Sequence, residues 1–158
     1  MISIVSIPHT GTKFTEKLLL GMGLEVRHAH LHSTHPAQNA RAWVAAGEKV
    51  VVPWRDPDLA RISARNRGEE PRPLSEFAEL LTLADLPNVH LFDIEPCRTC
   101  TGDHEGPCEA KELELGKLQV FLGVKEPPET DWEPVNTSED VTGAKRSYME
   151  RLRAKIKC

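Results

Sequence analysis

The sequence has no excess of positive charge, and this argues against one broad class of partner. Its 158 residues include 20 Lys and Arg against 24 Asp and Glu, which gives a net charge of −4. Proteins that bind nucleic acid through the phosphate backbone usually present a strongly basic surface. We therefore expect no nucleic-acid partner, and any contact with a phosphate group must be local.

The sequence also lacks a long hydrophobic run. Its apolar start covers only a few residues without the basic lead of a signal peptide, and no stretch reaches the length of a membrane span. It has four cysteines, of which three lie between positions 97 and 108. This crowding suits a metal or reduced thiols better than a distributed disulfide framework. We expect a cytoplasmic protein with no membrane partner and a single domain over residues 1–158.

The first twenty residues carry the most informative pattern. An apolar, β-branched run over residues 2–7 predicts a buried strand, residues 8–11 break it, and helical spacing begins at Thr12. The start of a helix leaves backbone N–H groups without helical partners, and the helix dipole adds partial positive charge there. The order of strand, tight turn and helix therefore predicts a binding site for phosphate or sulfate. It is not a Walker A motif, because the sequence Gly-Lys-[Ser/Thr] is missing.

The rest of the chain alternates between strand and helix patterns. Further strands are predicted at 24–32, 49–54 and 89–94, and helices at about 37–46, 58–66, 74–84, 111–122 and 138–158, with a loop at 95–110. This alternation predicts an α/β fold of three α/β/α layers with a parallel sheet of four to five strands.

The predicted second strand carries a row of histidines on one face: His28, His30 and His32, with His35 following in the loop. Such a row suits an edge strand with a wet face better than a metal cluster, because side chains two apart fan along a strand. Ligands of open α/β sheets lie beyond the carboxyl ends of the strands. His32 and His35 are therefore placed to reach the predicted anion site, whereas His28 is not.

Two motifs follow the first and third predicted strands. They read Pro8-His9-Thr10-Gly11-Thr12-Lys13-Phe14 and Arg55-Asp56-Pro57 followed by Ser63. The pair resembles the sulfotransferases that use 3'-phosphoadenosine 5'-phosphosulfate (PAPS), in which a first strand ends in Pro-Lys-Ser-Gly-Thr-Thr-Trp and a later Arg-x-Pro is followed after five residues by Ser. The resemblance spans most of residues 1–140 and implies a P-loop NTPase-like sulfotransferase core.

The resemblance also implies a role for each motif residue in holding PAPS or its product 3'-phosphoadenosine 5'-phosphate (PAP). The 5'-phosphate side of the donor would be held by the backbone of Thr10, Gly11, Thr12 and Lys13 together with the Thr12 hydroxyl, and Phe14 would stack on the adenine. Arg55 and Ser63 would hold the 3'-phosphate, with Arg67 as a further contact.

The chain departs from the family at position 9, where the catalytic lysine is replaced by His9. A protonated His9 would donate to the leaving oxygen, and Lys13 would supply a permanent charge. His32 and His35 lie between the two motifs and are the main candidates for the base that takes the proton of the acceptor hydroxyl, with Glu16 as a weaker candidate. The acceptor is expected to be a small molecule or a glycan, and no motif in the sequence identifies it. Because the chain is shorter than most family members, the acceptor pocket is expected to be shallow, built from the cysteine loop, or shared with a second subunit in a homo-oligomer.

The cysteine loop supplies a set of metal-ligand side chains: Cys97, Cys100, His104 and Cys108. Three thiolates and one imidazole suit a tetrahedral structural zinc, although the spacing departs from that of a zinc knuckle. A disulfide from Cys97 or Cys100 to Cys108, and unlinked thiols, are the alternatives at this stage.

Two other functions remain open from the sequence. A P-loop kinase of a small metabolite or nucleoside would share the strand, turn and helix, but the Gly-Lys-[Ser/Thr] that binds phosphate and Mg²⁺ is missing. A non-catalytic interaction protein would keep the fold without the lysine and use the zinc loop for docking.

Overall fold

The computed structural model describes residues 1–28, 36–99 and 109–125. Within them, four parallel strands form one sheet in the order β2-β1-β3-β4. The strands are β1 (Ile2–Ile4), β2 (Val26–His28), β3 (Lys49–Trp54) and β4 (Val89–Asp93). The helices are α1 (Thr12–Gly21), α2 (Pro36–Ala45), α3 (Pro57–Asn66), α4 (Leu74–Leu81), α5 (Glu95–Thr99) and α6 (Glu109–Leu122), and a short 3₁₀ helix covers Thr82–Asp85. The predicted α/β fold with a parallel sheet is confirmed.

Two hydrophobic clusters lie on opposite faces of this sheet, because side chains alternate along a strand. Ile2 and Ile4 of β1 face the first cluster, which α1 and α6 cover through Leu18, Leu19, Leu115 and Leu118. Val5 and Ile7 face the second cluster, which is covered from α2, α3, α4 and the 3₁₀ helix by Ala40, Ala60, Phe77, Leu80 and Leu83. The result is the expected arrangement of three layers.

The strand order determines where a ligand site can form. β1 lies inside the sheet with β2 on one side and β3 on the other, so the chain reverses its direction across the sheet at the β1/β3 pair. Open parallel sheets bind ligands beyond the carboxyl ends of the strands at this position. The turn of residues 8–11 follows β1 and Arg55 follows β3, so the two sequence motifs lie side by side at this edge.

The four strand predictions are met to different degrees. β3 has the predicted bounds, and β4 ends one residue early, at Asp93. The hydrogen-bonded ladder of β1 ends at Ile4, although the Val5 N–H still donates to the Val51 carbonyl at 3.1 Å and the buried run continues to Ile7. β2 covers Val26–His28, and residues 29–32 of the predicted strand lie outside the described part of the chain.

The predicted loop at 95–110 is wrong at both ends. Residues 95–99 form α5, and α6 begins at Glu109 rather than near Lys111. The Asp93 carboxylate accepts a hydrogen bond from the Glu95 N–H at 3.1 Å, and Pro96 lies in the first turn of α5. Both features favour the start of a helix. Residues 100–108 and the predicted helix at 138–158 lie outside the described residues.

The remaining helix predictions hold with small shifts. The predicted helix at 74–84 ends at Leu81 and tightens into the 3₁₀ helix, where the Thr82 hydroxyl donates to the Glu79 carbonyl at 2.6 Å. None of the helices in the described residues is long and apolar enough to cross a membrane.

Candidate functional site

The turn between β1 and α1 contains two residues in the left-handed region, His9 with φ 69° and Gly11 with φ 92°. Gly11 is the N-cap of α1, and a Cβ at this position would lie 2.2 Å from Cδ1 of the fully buried Ile94. Both the backbone angle and the close contact therefore require glycine here. The Thr10 hydroxyl donates to the Ile7 carbonyl at 2.6 Å and closes the turn.

The first turn of α1 follows directly. Within the described residues no side chain caps it at Gly11, and the turn contains no acidic residue. Backbone N–H groups and the positive end of the helix dipole therefore lie at the carboxyl edge of the sheet. This is the arrangement that the sequence predicts for a phosphate or sulfate site.

The side chains in this turn lie in different places. The Thr12 and Ser6 hydroxyl oxygens are 2.6 Å apart and share a hydrogen bond, and Thr12 is buried. Lys13 is exposed. Phe14 packs in the first hydrophobic cluster, so stacking on an adenine would require its ring to leave the core.

Arg55 is the most buried charged residue of the site, with 1% of its side chain exposed. Its Nε donates to Oε1 of Glu95 at 2.7 Å, and its Nη1 donates to the His9 carbonyl at 3.1 Å. Within the described residues, Nη2 has no hydrogen-bond partner. One guanidinium group thus joins the ends of β3 and β4 to the turn after β1.

The start of α3 positions the second motif. The Asp56 carboxylate accepts hydrogen bonds from the N–H groups of Asp58 at 2.8 Å and Leu59 at 3.3 Å, and Pro57 occupies the first helical position. These features are typical of a capped helix start. They direct α3 so that Ser63, which is buried, faces the His9 ring, whereas Arg67 lies exposed at the C-terminal end.

The His9 ring makes one contact through each nitrogen. Ser63 Oγ lies 3.2 Å from Nδ1, and Oε2 of Glu69 lies 2.7 Å from Nε2. An ionised carboxylate only accepts hydrogen bonds, so Nε2 carries a proton in this contact. In the neutral ring Nδ1 then accepts from the Ser63 hydroxyl. The ring is 8% exposed, whereas the Glu69 side chain is 54% exposed.

Sequence reasoning missed both Glu69 and Glu95 at this site. Glu69 follows α3 in a polar, proline-containing link, and no local pattern distinguishes it from Glu70 beside it. Glu95 follows β4, and its position at the carboxyl end of a predicted buried strand was the only available signal.

A cavity of about 270 Å³ lies beside the His9 turn, between α3, α4 and the link that joins them. Its lining residues are Ile7, Pro8, His9, Ala60, Arg61, Ala64, Glu69, Glu70, Arg72 and Phe77. Five of these residues are apolar and five are ionisable.

Of the candidates for the base, the structure describes only the weaker one, Glu16, because His32 and His35 lie outside the described residues. His28 lies on the edge strand, as expected, and pairs with Glu16 of α1 at 2.7 Å. Glu16 therefore faces β2.

The zinc prediction can be followed for one ligand only. Cys97 lies in α5 and packs against the first hydrophobic cluster, whereas Cys100, His104 and Cys108 fall outside the described residues. Among the residues that are described, no group of three or more His, Cys, Asp or Glu could hold a metal ion. Zinc binding by Cys97 together with Cys100, His104 and Cys108 stays a prediction.

Comparisons of the chain with protein-family models, with curated proteins and with solved structures found no match. The resemblance to sulfotransferases therefore rests on the two motifs and on where the fold puts them.

Proposed function

We propose that this protein binds PAPS and transfers its sulfuryl group to an acceptor hydroxyl or amine. The observation that carries the proposal is the meeting of the two motifs at residue 9. Ser63 contacts the His9 ring and Arg55 donates to the His9 carbonyl, although the sequence separates them from His9 by 54 and 46 positions. This meeting lies at the β1/β3 carboxyl edge, where open parallel sheets bind nucleotides.

The charges of the site support a doubly phosphorylated nucleotide. The N-terminus of α1 offers N–H donors for one phosphate, and Arg55 with Ser63 offers a cation and a hydroxyl for the other. Because Nε and Nη1 of Arg55 are already used, Nη2 is the atom left for a phosphate oxygen. The burial of Arg55 means that this contact needs a small movement of the His9 turn.

In the transfer itself, the acceptor oxygen or nitrogen attacks the sulfur and forms the new bond. The bond between sulfur and the bridging oxygen breaks, and its electron pair stays on the 5'-phosphate of PAP. The acceptor proton passes to a base. Charge grows on the bridging oxygen, so a positive group beside it lowers the barrier. In this chain the groups that can supply this positive charge are Lys13, the N–H groups at the start of α1 and a protonated His9.

Thermal shift tests the proposal. PAP at saturating concentration is expected to raise the melting temperature without magnesium, whereas Mg-ATP would stabilise a kinase. Ser63→Ala is expected to weaken PAP binding about tenfold, through loss of one hydrogen bond to a charged group. Ser75→Ala, at an exposed position of α4, is the matched control and should bind PAP normally. Stabilisation by Mg-ATP but not by PAP would contradict the proposal.

Transfer is tested separately from binding. His9→Lys introduces the family residue, and we expect it to raise the rate of radiolabelled sulfate transfer from PAPS to a panel of hydroxyl and amine acceptors. No gain in a variant that still binds PAP would favour a non-catalytic docking role.

A further inference from the structure

The cavity beside His9 is lined by apolar residues and by a cation, Arg61, that forms no ion pair within the described residues. The apolar residues are Ile7, Pro8, Ala60, Ala64 and Phe77. The cavity volume of about 270 Å³ is close to the lower limit of small-molecule sites. A ligand of the size of one aromatic ring is what such a space can enclose.

The charged groups around the cavity differ in whether they have a hydrogen-bond or ion-pair partner. Arg72 donates to Glu76 at 2.6 Å, Glu69 accepts from His9, and Glu70 is exposed to water. Arg61 is half-buried, and within the described residues its Nε is buried with no hydrogen-bond partner. Arg61 lines the cavity and forms no ion pair within the described residues, so its charge is available to an anionic oxygen there.

The contact between His9 and Glu69 lies at the same cavity. Both residues line it, and the more exposed of the two is the carboxylate. Because the Glu69 carboxylate is the partner that water reaches more easily, it is the one that a ligand in the cavity would displace. Movement of Glu69 would leave Nε2 of His9 available to a hydroxyl group in the cavity.

We propose that this cavity is the acceptor pocket and that it binds a small aromatic or aliphatic hydroxy acid. The carboxylate of the acid pairs with Arg61, and its separate hydroxyl group replaces Glu69 as the partner of His9. The inference rests on the proposed sulfotransferase function and adds the class of acceptor. Glu69 then acts as a positioning residue that holds the His9 ring in the empty site.

Calorimetric titration of the full chain with 4-hydroxybenzoate and with the neutral, nearly isosteric 4-hydroxybenzamide tests the pocket, and PAP is titrated in parallel. We expect the acid to bind about tenfold more tightly than the amide, because only the acid supplies a charge to Arg61. Arg61→Gln should remove this preference and leave PAP affinity unchanged. Arg65→Gln, at an exposed position of the same helix, is the matched control and should keep it.

Glu69→Gln adds a second readout, because it removes the charge that competes for His9. It is expected to strengthen 4-hydroxybenzoate binding. The acceptor pocket is overturned if PAP binds while the acid does not, if the acid binds equally well to Arg61→Gln, or if Arg61→Gln weakens PAP to the same extent. Failure of the wild-type chain to bind PAP would instead overturn the sulfotransferase function itself.

Discussion

Two arginine–glutamate pairs flank β3, and they differ in burial. Arg55 follows the strand and pairs with Glu95, with 1% and 5% of the two side chains exposed. Glu48 precedes the strand and pairs with Arg27, with 40% of the Arg27 and 25% of the Glu48 side chain exposed. The same two residue types thus occur at the carboxyl and the amino end of one strand, in different surroundings.

Burial changes what such a pair does. A charge taken out of water must be paired, so removing one partner of Arg55 and Glu95 leaves the other uncompensated. Arg27 and Glu48 keep contact with water, and Arg27 also lies 4.4 Å from the centre of the Trp43 ring. The amino-terminal pair therefore adds little to stability, whereas the carboxyl-terminal pair holds the end of β4 and the His9 turn against β3.

The largest effect is expected from breaking the buried pair. Glu95→Ala should lower the free energy of unfolding by roughly 3–5 kcal/mol, because Arg55 stays buried without its carboxylate. Urea unfolding measures this change. The double variant Arg55→Met with Glu95→Leu should recover most of the loss, since it removes both charges. A double variant no more stable than Glu95→Ala would show that shape, rather than charge, dominates at this position.

A smaller effect is expected from the turn that the buried pair supports. Gly11→Ala should lower the free energy of unfolding by roughly 1–3 kcal/mol, because alanine is strained at φ 92° and its Cβ meets the buried Ile94. Gly21→Ala, at the other end of α1, is the control. No atom that its Cβ would meet lies within 4 Å among the described residues, and alanine there should stabilise by about 0.5–1 kcal/mol. Equal results for the two variants would contradict the geometry of the turn.

The smallest effects concern the pH dependence of stability and involve two carboxylates whose pKa values shift in opposite directions. The hydrogen bond from Ser3, with the charge of Arg27, lowers the pKa of Glu48, whereas burial, with the nearby Glu114 and Glu95, raises the pKa of Asp93. Glu48 therefore contributes stability above its unfolded pKa that is lost as the pH falls through its lower, folded value. Asp93 contributes stability below its unfolded pKa that is lost as the pH rises through its higher, folded value.

Substitutions by the matching amides separate these two contributions. Glu48→Gln should lower the melting temperature at pH 7 by a few degrees at most and reduce its fall in acid. Asp93→Asn keeps an oxygen for the Glu95 N–H and should raise the free energy of unfolding at pH 7 by less than about 1 kcal/mol, since part of the carboxylate is exposed. Melting temperatures between pH 3 and pH 7 measure both, and a shift of the same sign for the two variants would contradict the assignment.

Sequence reasoning predicted the layers of the fold well, because their cause is local. The apolar run of β3 and the helical pattern over 58–66 lie within a few neighbouring residues, and the structure keeps both, with the helix starting one residue earlier. The boundaries it missed depend on contacts between elements. α5 begins where the Asp93 side chain reaches the Glu95 N–H, at a position where the composition indicates a loop.

The candidate site was predicted in part. The turn at Gly11 and the meeting of Arg55 and Ser63 with His9 follow from motifs in parallel strands, whose carboxyl ends share one edge. Phe14 was expected beside a ligand and packs in the core, since its helical spacing with Leu18 equally suits a buried face.

The sequence by itself determined that strands and helices alternate and that a glycine turn begins α1, because these properties depend on residues close together in the chain. Only the tertiary structure decided which charges meet. Glu95 pairs with Arg55 across 40 positions and Glu69 with His9 across 60, and no local pattern predicts which partner either acid meets. Such pairs form because the order of strands brings distant segments to one edge, where a buried guanidinium requires a carboxylate beside it.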